Sequence, residues 1–87
     1  MDILICDDEP LAIERLSRLV SQLGHQVVAI ASHGQQAIEL TQQYEPDVVL
    51  LDIQMPEMDG LTCAHYLRQL EPMPALVFCT AYDEHAL

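Results

Sequence analysis

Apolar positions come along the chain in two alternating forms, short unbroken runs and longer stretches with a helical repeat. Residues 3–6, Ile-Leu-Ile-Cys, form an unbroken run, which predicts a strand. After Pro10 come Ala12, Leu16, Leu19, Val20 and Leu23 at helical spacing, which predicts a helix. Pro10 suits a first helical turn, where a missing N–H has no partner to lose, and Gly24 stands where a left-handed cap is wanted. The pattern repeats with a run at 27–31, a helix over 34–44 carrying Ala37, Ile38 and Leu40, and a run at 48–51 after Glu45-Pro46. A loop over 53–59 precedes a helix over 61–70 with Leu61, Ala64, Leu67 and Leu70 on one face. Pro72 and Pro74 end it ahead of the last run, 75–79. Strands that are continuously rather than alternately apolar, separated by helices, imply an α/β domain whose parallel sheet is covered on both faces.

The charge balance narrows the partners. Fourteen Asp and Glu face only Arg15, Arg18 and Arg68, giving a net charge of -11, with no lysine. Such a surface repels nucleic acid and attracts a divalent cation or a basic partner. No run is long enough to span a membrane and no signal-like N-terminus is present, so a cytoplasmic, soluble domain is expected. Cys6, Cys63 and Cys79 lie among apolar neighbours without a CxxC pair, which fits buried reduced thiols.

Parallel strands bring their C-terminal ends to one edge, the ligand-binding edge of open α/β sheets. The first strand ends at Asp7-Asp8, the third at Asp52 and the fourth at Thr80-Ala81, so three carboxylates and a hydroxyl share that edge. Crowded carboxylates raise one another's pKa, and a hard divalent ion offsets the repulsion; Mg²⁺ fits because it takes a few carboxylates and keeps waters for phosphate oxygens. Asp52, after a wholly apolar strand, has the strongest claim to accept a phosphoryl group, with Asp7 and Asp8 holding the metal and Thr80 donating to a phosphoryl oxygen. Plainer readings stand beside these. Glu9 belongs to a helix start, and Thr80 is also ordinary strand chemistry. His25, His33, His65 and His85 read as solvated, Met55 and Met58 as gap-fillers under the loop, and Tyr82 as part of a partner surface.

The stretches "LICDDEP", "PDVVLLDIQMPEMDG" and "VFCTAYDEHAL" together resemble the receiver domains of two-component response regulators, over the whole chain. The resemblance implies a flavodoxin-like (CheY-like) doubly wound sheet, Asp52 as phosphoacceptor, and a sensor histidine kinase or small phosphodonor as the phosphoryl source. It also implies Asp8 and Asp52 as direct Mg²⁺ ligands, Asp7 as a ligand through water, the Gln54 main-chain carbonyl as another ligand, and Thr80 as the switch hydroxyl. In the loop, Pro56 is expected to stiffen a turn and Gly60 to supply a backbone shape closed to other residues. "DDEPLA" with "FCTAYDEHAL" is similar to AlgR/LytR-type regulators, whose receiver precedes a LytTR DNA-binding output domain.

The family continues through a fourth helix, a fifth strand carrying a lysine nearby, and a fifth helix, whereas this chain stops at Leu87 without any lysine. The expectation is a receiver domain over 1–87, incomplete at its C-terminus, with strand order 2-1-3-4, the fifth strand and helix absent and no output domain. The run 75–79 then becomes an apolar edge that invites self-association by strand pairing or element exchange. Two alternatives remain open. One is an interaction module that keeps the fold but takes up no phosphate. The other is a haloacid dehalogenase-type phosphotransferase, whose Asp-x-Asp pattern on the first strand Asp7-Asp8-Glu9 does not supply.

Overall fold

The computed structural model describes residues 1–55 and 57–79; the expectations placed on Pro56, Thr80, Ala81, Tyr82 and His85 lie outside the described residues. The elements follow the predicted alternation: β1 (Asp2–Cys6), α1 (Pro10–Gln22), β2 (Gln26–Ala31), α2 (Gly34–Tyr44), β3 (Val48–Asp52), α3 (Gly60–Leu67) and β4 (Ala75–Cys79). All three strand pairings are parallel and the sheet order is β2-β1-β3-β4.

The strand pleat sorts β1 into two cores. Ile3 and Ile5 pack with Val20 of α1, flanked by Ile13, Leu16, Val27, Val48 and Leu50. Leu4 and Cys6 face the other way, into a cluster with Val49, Leu51, Ala37 of α2, and Cys63, Ala64 and Leu67 of α3. Because both faces are covered, polar residues would be stranded on either, and the unbroken apolar runs follow. β4 is the outer strand of the described sheet, with Val77 and Phe78 47% and 43% exposed.

Helix ends show how the loops are placed. Gly24 takes φ 83° after α1, the left-handed shape expected of it. Glu45 takes the same region after α2, at φ 47°, without being a glycine. α3 is shorter than the predicted 61–70. After Leu67 the amides of Gln69 and Leu70 bond Tyr66 and Leu67 carbonyls at 3.1 and 3.2 Å, a tightening to three-residue spacing that closes the helix.

Candidate functional site

β1 and β3 deliver the acidic residues to one edge. Their ladder pairs Cys6 with Leu51, which brings Asp7 level with Asp52. The Asp7 amide adds one more rung by donating to the Ala31 carbonyl at 3.0 Å, so Asp7 remains strand-like and is buried, 7% exposed. Asp7 Oδ1 accepts the Glu9 N–H at 2.9 Å, the bond of an aspartate that turns its own backbone two residues on. That bond aims the chain into α1, whose extended N-terminal cap is Glu9 and whose first turn contains Pro10. Asp7 and Asp8 thus belong to the edge and Glu9 to the helix start.

One carboxylate oxygen each from Asp7, Asp8 and Asp52 lies within 4.8 Å of the other two. Asp8 is exposed and Asp52 half-buried. Burial pushes the Asp52 carboxyl up, the Gln54 N–H donated to its Oδ1 at 3.2 Å opposes this, and the charges of Asp7 and Asp8 push it further up. Among the described residues the ion pair formed is Arg18 with Glu14 on α1. The donor set is therefore hard oxygen, crowded, negatively charged and partly desolvated, which fits a divalent cation of the Mg²⁺ class. The cysteines do not compete. Burial, foremost, and then Cys63 and the three aspartates push the Cys6 thiol up to about 12, and burial pushes Cys63 up to about 11. Both are free and buried, and Cys79 is free and half-buried, so soft thiolate ligands are not on offer.

After Asp52 the chain leads into α3. Asp59 caps α3 by accepting the Thr62 N–H at 2.7 Å, which holds its carboxyl below the ordinary value. Gly60 departs from expectation. It starts the helix and its φ is not positive, so conformational freedom is not what it supplies. A Cβ there would stand 2.7 Å from the Ile53 Cα and closer still to the Asp52 carbonyl, while the Gly60 N–H donates to the Ile53 carbonyl at 2.7 Å. Glycine is required because α3 begins against the backbone that carries Asp52.

The histidines also differ from expectation. His65 is exposed, but His33 caps α2 through Nδ1, which accepts the Gln36 N–H at 3.2 Å. His25 Nδ1 lies 3.0 Å from the terminal amine of Met1. Sequence reasoning missed the turn that Asp7 makes ahead of α1 and the capping role of His33; a polar residue just ahead of a helical repeat was the available signal.

A family model described as "Response regulator receiver domain" matches residues 3–87. The chain is 55% identical to the positive alginate biosynthesis regulatory protein of Pseudomonas aeruginosa and 45% identical to the sensory transduction protein LytT of Enterococcus faecalis. Each match covers 100% of this chain but 36% of the relative, so the chain spans about a third of those proteins. A chain of the CheX-CheY-BeF3-Mg²⁺ complex from Borrelia burgdorferi superposes with a TM-score of 0.88 at 26% identity, covering 99% of this chain and 66% of that one. The receiver domain of NarL from Mycobacterium tuberculosis superposes with a TM-score of 0.83 at 38% identity, covering 98% and 69%. With an acidic cluster at the C-terminal edge of a 2-1-3-4 parallel sheet and a family model matching almost end to end, the chain belongs to the receiver domains of two-component response regulators.

Proposed function

We propose that this receiver accepts a phosphoryl group on Asp52, from the phosphohistidine of a sensor kinase or from a small phosphodonor. The observation that carries the reading is the meeting of Asp7, Asp8 and Asp52 oxygens within 4.8 Å. Asp52 Oδ1 is engaged by the Gln54 N–H, which leaves Oδ2 as the freer nucleophile. Its attack forms an O–P bond as the N–P bond to the donor imidazole breaks, and the imidazole leaves carrying the electron pair and takes a proton. A carboxylate needs no general base for this step.

Asp8 and Asp52 would hold Mg²⁺ directly, with Asp7 through water and Gln54 through its carbonyl; the ion supplies charge neutralisation for the incoming phosphoryl oxygens. Asp7 suits an indirect role, since its Oδ1 already turns the chain into α1. Thr80 would donate its hydroxyl to a phosphoryl oxygen. That the superposing Borrelia chain comes from a complex containing BeF3 and Mg²⁺ supports the cation reading.

In a longer protein the new charge on Asp52 would control an output. Similarity to the alginate regulator and LytT favours a LytTR-type transcriptional output, while the net charge of -11 argues against nucleic acid contact by this domain itself. No described helix is long and apolar enough to cross a membrane, and a cytoplasmic site of action goes with the proposed kinase partner. The half-exposed Val77 and Phe78 on the outer strand favour self-association at β4, which light scattering at high concentration would expose and Val77→Lys would abolish.

The test is intact-mass measurement after incubation with acetyl phosphate and Mg²⁺. A phosphate-sized gain that disappears in Asp52→Asn supports the switch. No gain identifies an inert interaction module, and a gain mapping to Asp7 identifies the phosphotransferase alternative.

A further inference from the structure

The acidic cluster is built from two separate pieces of chain. Asp7 and Asp8 follow β1, while Asp52 ends β3 and leads into the connection that carries Gln54. The β1–β3 ladder sets the two strands side by side, and beyond it a pair of sulfur atoms joins the two pieces. Cys6, immediately before Asp7, has its Sγ 3.3 Å from the Sδ of Met55, three residues beyond Asp52. The same Sγ lies 3.7 Å from the His33 carbonyl oxygen, so one thiol touches β1, the start of α2 and the connection after β3.

Met58 covers Gly34 so closely that a Cβ there would meet Met58 Sδ at 2.7 Å. Both methionines pack on the core cluster that contains Cys6 and Cys63. A thioether is soft, long and a weak acceptor, which suits a contact that must hold a loop without occupying the hard-oxygen ligand positions. In the contact the Cys6 S–H donates to the Met55 thioether.

We propose that Cys6 and Met55 are positioning residues for cation binding at the acidic cluster. The β1–β3 ladder already places Asp52, and their contact holds the segment after it, with Gln54, against the Asp7-Asp8 corner. The proposal rests on the metal reading above. A serine at position 6 has a shorter reach and no soft contact surface, and a leucine at position 55 keeps the volume but loses the acceptor.

Mg²⁺ titration by calorimetry on the whole chain tests this, with Cys6→Ser, Met55→Leu and the double variant beside Asp52→Asn. Each single variant should weaken Mg²⁺ binding about tenfold, the low end for groups that support metal ligands indirectly. The double variant should bind no more weakly than the worse single, because one contact is lost in either case. The thermal midpoint of metal-free Met55→Leu should stay at the wild-type value, which separates positioning from general stability. Unchanged affinity in Met55→Leu, multiplying losses in the double variant, or an affinity loss that merely tracks metal-free melting overturns the proposal. If the Cys6 variants fail to fold, Met55→Leu decides alone. Absence of Mg²⁺ binding by the wild type, or equal binding by Asp52→Asn, instead overturns the metal reading, and the positioning role with it.

Discussion

β3 is bounded by two aspartates, and they do opposite things. Asp47, just ahead of the strand, is used up by the fold. Its Oδ2 accepts the Asp2 N–H at 2.8 Å, its amide donates to the Asp2 carbonyl at 2.8 Å, and its carbonyl accepts the Ala75 N–H at 2.9 Å. It ties β1 and β4 to the strand between them. Asp52, at the other end, takes one bond from Gln54 and faces two like charges. One end of the strand turns a carboxylate into a structural acceptor, and the other keeps one available at a cost in stability. That trade is general where a site must stay ready for a charged ligand.

The largest expected effect breaks the Asp52 end by moving its backbone. Gly60→Ala drives a Cβ into the Ile53 Cα and the Asp52 carbonyl, and backbone atoms cannot rotate aside. The expected loss is about 3 kcal/mol in urea unfolding, at the upper end for forced overpacking. Gly24→Ala is the control. Nothing lies within 4 Å of its Cβ, but φ is +83°, so only the left-handed strain of about 1 kcal/mol should be seen.

The Asp47 end is the next test. Asp47→Ala frees the Asp2 amide and should cost about 1 kcal/mol, the scale of a single hydrogen bond, while Asp47→Asn keeps an acceptor oxygen and should recover most of it. Equal losses for Ala and Asn would show that the carboxylate oxygen does not stabilise this end.

These two ends differed in how far they could be read in advance. The strand and helix rhythm marked Asp52 as a strand end, and parallel topology alone brought it to Asp7 and Asp8. Asp47 carries no such mark, because its value depends on Asp2, 45 residues away, being one rung over on β1. Gly60 was visible as a glycine but not for its reason. A positive φ can be anticipated from turn chemistry, whereas a close approach between α3 and the end of β3 is a tertiary fact. The same holds for β1 and β4, two five-residue strands with apolar runs of four and five residues. β1 is buried from Ile3 onward because it is flanked on both sides, and β4 is mostly exposed because the described sheet ends there.

The Asp47 end also contains an imperfection. Thr41, near the C-terminus of α2, is 3% exposed, and its hydroxyl has no hydrogen-bond partner among the described residues. Thr41→Val keeps the shape and removes the unpaired group, so it should raise stability by about 1 kcal/mol. A loss instead would mean that the hydroxyl is paired in solution.

The smallest effect is the one that isolates the Asp52 charge. Its carboxyl is raised above the ordinary 3.8, first by burial, against the Gln54 bond, and then by Asp7 and Asp8. In the window between 3.8 and the raised value, the folded protein holds a proton that the unfolded chain has released. Stability without divalent cation therefore falls as pH rises through that window, and the deficit persists above it. Asp52→Asn resembles the protonated acid, so it should match the wild type below the window and exceed it at neutral pH, by less than about 1 kcal/mol at this half-open position. Mg²⁺ should reverse the order, because a ligand that binds only the folded wild type stabilises it by mass action. Urea midpoints measured across pH with and without Mg²⁺ check both signs. Superimposable curves for wild type and Asp52→Asn would show that Asp52 is no more costly to the fold than Asp47, and the contrast between the two ends of β3 would fall.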